Sequence, residues 1–274
     1  MQIREVSIAG YRSLRAIRFP VGQLTVFVGA NGVGKTNLYR ALQLLQASAA
    51  GTLARELASE GGMQSAFWAG KRQGNKPARI KLSVGLGSST DRSGQSNFDH
   101  DVEAGVVHSY EIDIGVRQPT AAAFALEPQV KEESLIYHDR RRPLNLLVRK
   151  GPYVTAIDND GLKRELATKF LASETALGAL RAPGRFGDIG LVRQTMMDWR
   201  FYHDFRSDKD SPLRKPCLAV TTPTLASDGG ISPPCSQHWC ISARTRATSI
   251  RPLTMHSPER NWSFPRPAGP PRSD

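Results

Sequence analysis

Cysteine is scarce here: Cys217, Cys235 and Cys240 are three residues in 274, all in the last quarter of the chain. An odd, clustered set argues against a disulfide framework and for a reducing compartment. Cys235, His238 and Cys240 have neither a fourth ligand nor a paired C-x-x-C spacing, so they do not make a zinc site. Aromatic residues are also few and do not interleave with the basic runs, which excludes a base-stacking platform of the single-strand-binding kind. "HDRRRP" (His138 to Pro143) therefore reads as a solvated loop rather than a phosphate-contact patch. No run of about 20 apolar residues is present to span a bilayer. The opening "MQIREVSIAG" has neither the apolar core nor the cleavage site of a signal peptide. A cytoplasmic protein with no membrane partner is expected. Acidic residues are the minority charge, 25 against 37 Lys and Arg, and the net charge of +12 suits a polyanionic partner without identifying one.

What is present begins with short alternating runs: Ile3, Val6 and Ile8, then Leu14, Ile17 and Phe19, then Leu24, Val26 and Val28. These predict two or three strands, the last ending at a glycine-rich turn. From Thr36 the period becomes helical, with Leu38, Ala41, Leu42 and Leu45 on one face as far as about Ala47. A second short helix is expected over "TLARELASE". Beyond it, "ARIKLSVGL" and "HSYEIDIGV" alternate with period two across a polar, glycine- and serine-rich spacer, and "ESLIYHD", "NLLVRK" and "YVTAID" continue the pattern. An antiparallel, partly exposed sheet from about residue 78 to 160 is predicted. Helices are expected around Leu162 to Leu180 and Ile189 to Met197. "WRFYHDF" (Trp199 to Phe205) reads as a core strand in which His203 and Asp204 are structural. From Gly229 the character changes: this tail holds eight of the 18 prolines and no sustained period, so it reads as disordered.

The stretch "FVGANGVGKTNLYRALQLL" carries the chemistry. Gly29, four residues, then Gly34, Lys35 and Thr36 satisfy the G-x-x-x-x-G-K-S/T spacing. Glycines let the backbone curl so that successive N–H groups converge on phosphate oxygens, and the following helix adds its positive end. The predicted cradle is Gly29, Ala30, Asn31, Gly32, Val33, Gly34, Lys35, Thr36 and Asn37. Lys35 is expected at the β- and γ-phosphates of ATP, and the Thr36 hydroxyl on Mg²⁺.

"GANGVGKTNL", preceded by "IAGYRSLRAIRFPVGQLTVFVG", resembles the N-terminal lobe of the ABC-type ATPase heads of the RecF, SMC and OLD class. There a short strand, an aromatic-Arg-Ser turn and a second strand precede G-x-N-G-x-G-K-T-N. The likeness covers about residues 1–229, tightly at the loop and loosely afterwards. It implies an α/β P-loop NTPase core, dimerisation with a second ATPase head, ATP hydrolysis, and work on DNA in repair, chromosome maintenance or phage defence. By the same resemblance Arg12 lies near the nucleotide; read from its residue type alone it is a surface arginine.

Turnover in that class also needs an apolar strand ending Asp-Glu and an L-S-G-G-like signature, and neither is present. "VTAIDND" and "SLIYHD" read more simply as strands running into turns, so no catalytic base is assigned. "TPTLASDGG" resembles the L-x-x-D-G stretch that leads into an apolar helix in these ATPases, and the pattern breaks just there. With the coding frame set back one nucleotide from about Gly230, two bases of each new codon come from the first two bases of the present residue. Allowed choices for the remaining base turn "ISPPCSQHWCISARTRATSI" into "HLAAVFATLVHIREDTSDLD", an amphipathic helix and an acidic turn. The remainder continues "IDDAFPGAQLVVPPPGRTATF". The expectation is that residues after about Gly230 are a frameshifted translation and that the lost frame carries the signature and the Asp-Glu strand.

The sequence thus predicts a truncated P-loop core over 1–229 with an antiparallel β subdomain, and a proline-rich tail over 230–274. Two functions stand: an ATPase complete only in its intact form, or a module that holds ATP without hydrolysing it. A small-molecule kinase is disfavoured by the long antiparallel runs. Missing core strands leave exposed edges, so low stability is expected.

Overall fold

The computed structural model describes residues 1–71, 77–87, 106–117, 126–139, 142–166, 170–180, 184–202 and 209–210. Every element below lies in the first of two compact units, Met1–Trp199. The Cys235, His238 and Cys240 set, His203, Asp204, Arg140, Arg141 and the predicted boundary at 229 and 230 fall outside the described residues.

Among the described residues eight strands form one antiparallel sheet in the order β2-β1-β3-β4-β5-β6-β7-β8. They are β1 (Gln2–Tyr11), β2 (Leu14–Pro20), β3 (Arg79–Gly87), β4 (His108–Val116), β5 (Pro128–His138), β6 (Pro143–Lys150), β7 (Tyr153–Ile157) and β8 (Lys163–Glu165). The helices among the described residues are α1 (Lys35–Ala50), α2 (Leu53–Ser59), α3 (Gly62–Ala66), α4 (Ala176–Ala179) and α5 (Gly187–Met197). The period-two runs become strands because register carries their apolar residues across the sheet in rows. Val6 pairs with Val84, Val84 with Tyr110, Tyr110 with Leu135, Leu135 with Leu147 and Leu147 with Ala156. That row is buried, and Leu38, Ala41, Leu44 and Leu45 of α1 belong to the same core cluster. The opposite face carries Ser7, Lys81, Ser83, Asp113, Glu132 and Lys150, which line a shallow concavity. One face packed and one polar is the pattern the alternation predicted.

A second buried row is not wholly apolar. Ile8, Leu82 and Ile112 continue into Glu133, Arg149 and Val154. The Glu133 carboxylate accepts from the Tyr110 hydroxyl at 3.0 Å and from the backbone N–H groups of Ala176 and Leu177 at 2.7 and 2.8 Å. Arg149 donates to the carbonyls of Gly151, Leu171 and Glu174. Burial pushes the Glu133 carboxyl up and the Arg149 guanidinium down, and each charge opposes the other's shift. Together they fasten the 170–180 segment over the sheet. There Gly178 packs on Gly51 at the end of α1 so closely that a Cβ on Gly178 would lie 2.5 Å from the Gly51 Cα.

Four expectations need correction. The antiparallel sheet is not a subdomain apart from the N-terminal strands, because β1 pairs with β3 and makes one sheet with it. The helix predicted over Leu162 to Leu180 is an edge strand, β8, and the four-residue α4 among the described residues; Lys163 and Arg164 pair with Ile157 and Ala156 instead. The third strand, Leu24 to Val28, is assigned to no sheet, and Trp199 to Tyr202 form no strand. Strand assignment requires a hydrogen-bonded neighbour, which an apolar run does not itself provide. Among the described residues no helix is long and apolar enough to cross a membrane.

Candidate phosphate-binding site

The site is the turn between Val28 and α1. Gly32 and Gly34 take positive φ, 85° and 107°, the left-handed region that glycine enters without strain. At Gly34 there is also no room: a Cβ would stand 2.6 Å from the Ser13 Oγ. Ser13 belongs to the β1–β2 turn, and its hydroxyl accepts a hydrogen bond of 2.8 Å from the Asn37 amide in the first turn of α1. The β1–β2 turn therefore backs directly onto the end of the loop.

That turn is itself fastened. Arg12 has φ 49°, unusual for a residue with a side chain. It is held by backbone bonds from its N–H to the Ala66 carbonyl and from the Ala69 N–H to its own carbonyl, both 2.9 Å. Its guanidinium pairs with Glu60 at 3.1 Å, and the Tyr11 hydroxyl donates to the same carboxylate at 2.6 Å. Burial and that carboxylate push the Tyr11 phenol well up, so it stays a donor. Arg12 is thus neither free at the surface nor available to a ligand in this arrangement, since Glu60 engages it. Tyr11, Ser13 and Glu60 escaped the sequence reading: "YRS" was conspicuous, but nothing local to Glu60 points back across 48 residues.

The loop faces outward. Gly29, Ala30, Asn31, Gly32, Val33, Lys35 and Thr36 are exposed, and Gly34 and Asn37 are partly so. Lys35 Nζ folds back onto the carbonyls of Gly29 and Ala30, at 2.5 and 2.9 Å, closing the loop around its ammonium. α1 starts with no side-chain cap and no acidic residue in its first turn. Its leading N–H groups and the positive end of a 16-residue dipole are left for an external acceptor. The Thr36 hydroxyl stands exposed beside them, and the Asn37 side chain is turned to Ser13 rather than to the loop.

Of the two aspartates that end apolar runs, Asp158 has a structural role. Asp158 closes the β7–β8 turn, accepting from the N–H groups of Asp160 and Leu162 and from Arg164 at 2.7 Å, and the Arg164 bond holds its carboxyl low. In "SLIYHD" the His138 ring hydrogen-bonds the Ser109 hydroxyl at 2.7 Å. Among the described residues no group of His, Cys, Asp and Glu is placed to hold a metal ion by itself.

Comparison with known proteins gives one family match: residues 1–89 fit the family described as AAA ATPase domain. No curated protein matches. A solved structure concerned with ATP-driven dimerization and DNA-stimulated activation of SMC ATPases is 14% identical, with 72% of this chain and 80% of that chain covered and a TM-score of 0.30. A likeness of that size does not bear on the fold. Over residues 1–89, which include the whole of the loop, the chain is similar to the AAA ATPase domain family.

Proposed function

We propose that Gly29 to Asn37 cradle the phosphates of ATP, with Lys35 on the β- and γ-phosphates and Mg²⁺ on the Thr36 hydroxyl. The observation that carries this is the uncapped, acid-free start of α1 behind a glycine turn whose lysine sits over the loop. Every group that meets a phosphate there is a donor or a cation, and water has free access. Bound Mg²⁺ supplies charge neutralisation between phosphates. In this chain Lys35 supplies a mobile cation that exchanges the Gly29 and Ala30 carbonyls for phosphate oxygens, and Asn37 holds the helix start in register through Ser13.

The intact form is a RecF/SMC-like ATPase, dimerising with a second ATPase head and coupling ATP hydrolysis to DNA repair, maintenance or phage defence. The present chain is the nucleotide-holding portion. Asp-Glu occurs nowhere in its sequence, which favours the second reading for it, binding without turnover.

The test is a titration of the purified chain with Mg-ATP by calorimetry, alongside phosphate release. Stoichiometric binding is expected, with no release. Lys35→Ala removes charge-assisted bonds of about 1.5–3 kcal/mol in total, and affinity falls roughly 10- to 100-fold. Undiminished binding by that variant overturns the cradle, and Lys35-dependent phosphate release overturns the binding-only reading of this chain.

A further inference from the structure

Ser13 touches the phosphate loop at two residues. Its Oγ accepts from the Asn37 side chain at 2.8 Å, and it stands only 2.6 Å from where a Cβ on Gly34 would lie. Those two contacts bracket Lys35 and Thr36, the side chains that meet phosphate and Mg²⁺ in the function proposed above. Leu14 lies against Gly34 as well, its Cδ2 3.2 Å from the same point. The start of α1 is therefore placed by the β1–β2 turn.

The turn does not keep its shape unaided. Arg12, immediately before Ser13, has φ 49°, where a side chain crowds the backbone and persists only if its surroundings hold it. Glu60 supplies much of that hold. Its side chain is 7% exposed and accepts from the Tyr11 hydroxyl at 2.6 Å and from Arg12 Nε and Nη2 at 3.2 and 3.1 Å. Its backbone carbonyl takes a further bond of 3.2 Å from the same guanidinium. The position is otherwise a poor one for an acid, because Glu60 ends α2 and the negative end of a helix disfavours a carboxylate. Tyr11 and Arg12 offset that penalty. We infer that Glu60 is a positioning residue for the phosphate loop, acting through Arg12 and Ser13 to hold Gly34 and Asn37, and with them Lys35 and Thr36, in register. Weaker ATP binding on its loss follows only where the cradle reading holds, whereas the coupling of Glu60 to the loop does not depend on that reading.

Full chains carrying Glu60→Ala, Glu60→Gln, Ser13→Ala and the pair Glu60→Ala with Ser13→Ala test it by two measurements. Without nucleotide, hydrogen–deuterium exchange is followed at Leu38, whose N–H bonds the Gly34 carbonyl at 3.0 Å, and at Ile112 in the sheet. Glu60→Ala is expected to speed exchange at Leu38 about 10-fold while Ile112 keeps the parent rate. An equal rise at both, or none at Leu38, overturns the inference. With Mg-ATP, Glu60→Ala is expected to bind about 10-fold more weakly, and to add less than about 2-fold in the Ser13→Ala chain, where the link is already cut. Effects that simply multiply overturn it. So does tighter binding by Glu60→Ala, which would mean that Glu60 withholds Arg12 from the nucleotide. Glu60→Gln keeps acceptors for Tyr11 and Arg12, so it should move both readouts in the same direction and less far; it carries the comparison alone if Glu60→Ala does not fold. Absence of Lys35-dependent ATP binding in the parent would defeat the cradle reading, and exchange at Leu38 would still decide the coupling.

Discussion

Gly34 meets two demands at once, a φ of 107° and the near contact with the Ser13 Oγ. Gly34→Ala is expected to lose about 1–3 kcal/mol by urea denaturation, because a Cβ both strains the backbone and displaces Ser13. Adding Ser13→Ala removes the collision but not the φ cost, so it restores only part of the loss. Full restoration would show that the contact with Ser13 accounts for the whole effect. The glycine spacing showed that Gly34 is needed. That Ser13 is what it faces was not legible, because the contact joins two turns on different strands and depends on how Arg12 is locked to Glu60.

Among the elements, α4 is too short to hold itself: four residues make barely one turn, and an isolated turn is unfavourable. The Glu133 carboxylate holds it by bonding the N–H groups of Ala176 and Leu177, while Arg149 holds the carbonyls of Leu171 and Glu174 just before it. Glu133→Ala leaves those N–H groups, the Tyr110 hydroxyl and the Arg149 charge without their buried partner. A loss of about 3–5 kcal/mol is expected. Amide exchange should speed first at Ala176 to Ala179, and a stability within about 0.5 kcal/mol of the parent would refute this account of α4. The helix predicted over Leu162 to Leu180 failed for the same reason: apolar spacing suits a helix there, but pairing with β7 takes its start and the polar pair its end.

At the scale of the molecule, the sheet face buries His108 at the β4 end with its ring against Tyr137 at 5.2 Å. Neither ring nitrogen has a hydrogen-bond partner among the described residues. Burial lowers its pKa below the ordinary 6.5, His138 on β5 adds to the lowering, and Asp188 on α5 opposes it. The unfolded chain then binds the proton more readily, so stability is level above about 6.5 and falls as pH drops below it. The melting temperature should show that fall, and His108→Phe should flatten it; an unchanged slope would assign the effect elsewhere. The sequence by itself determined the glycine turn, the helix behind it and seven of the sheet's strands, because turn chemistry and periodicity are local. Only the tertiary structure decided that β1 and β2 join the same sheet as β3 to β8, that Glu133 and Arg149 lie inside it, and that Leu24 to Val28, as apolar as any strand here, has no strand beside it among the described residues. Pairing and burial are properties of what stands alongside a segment, and no window of residues contains its own neighbour.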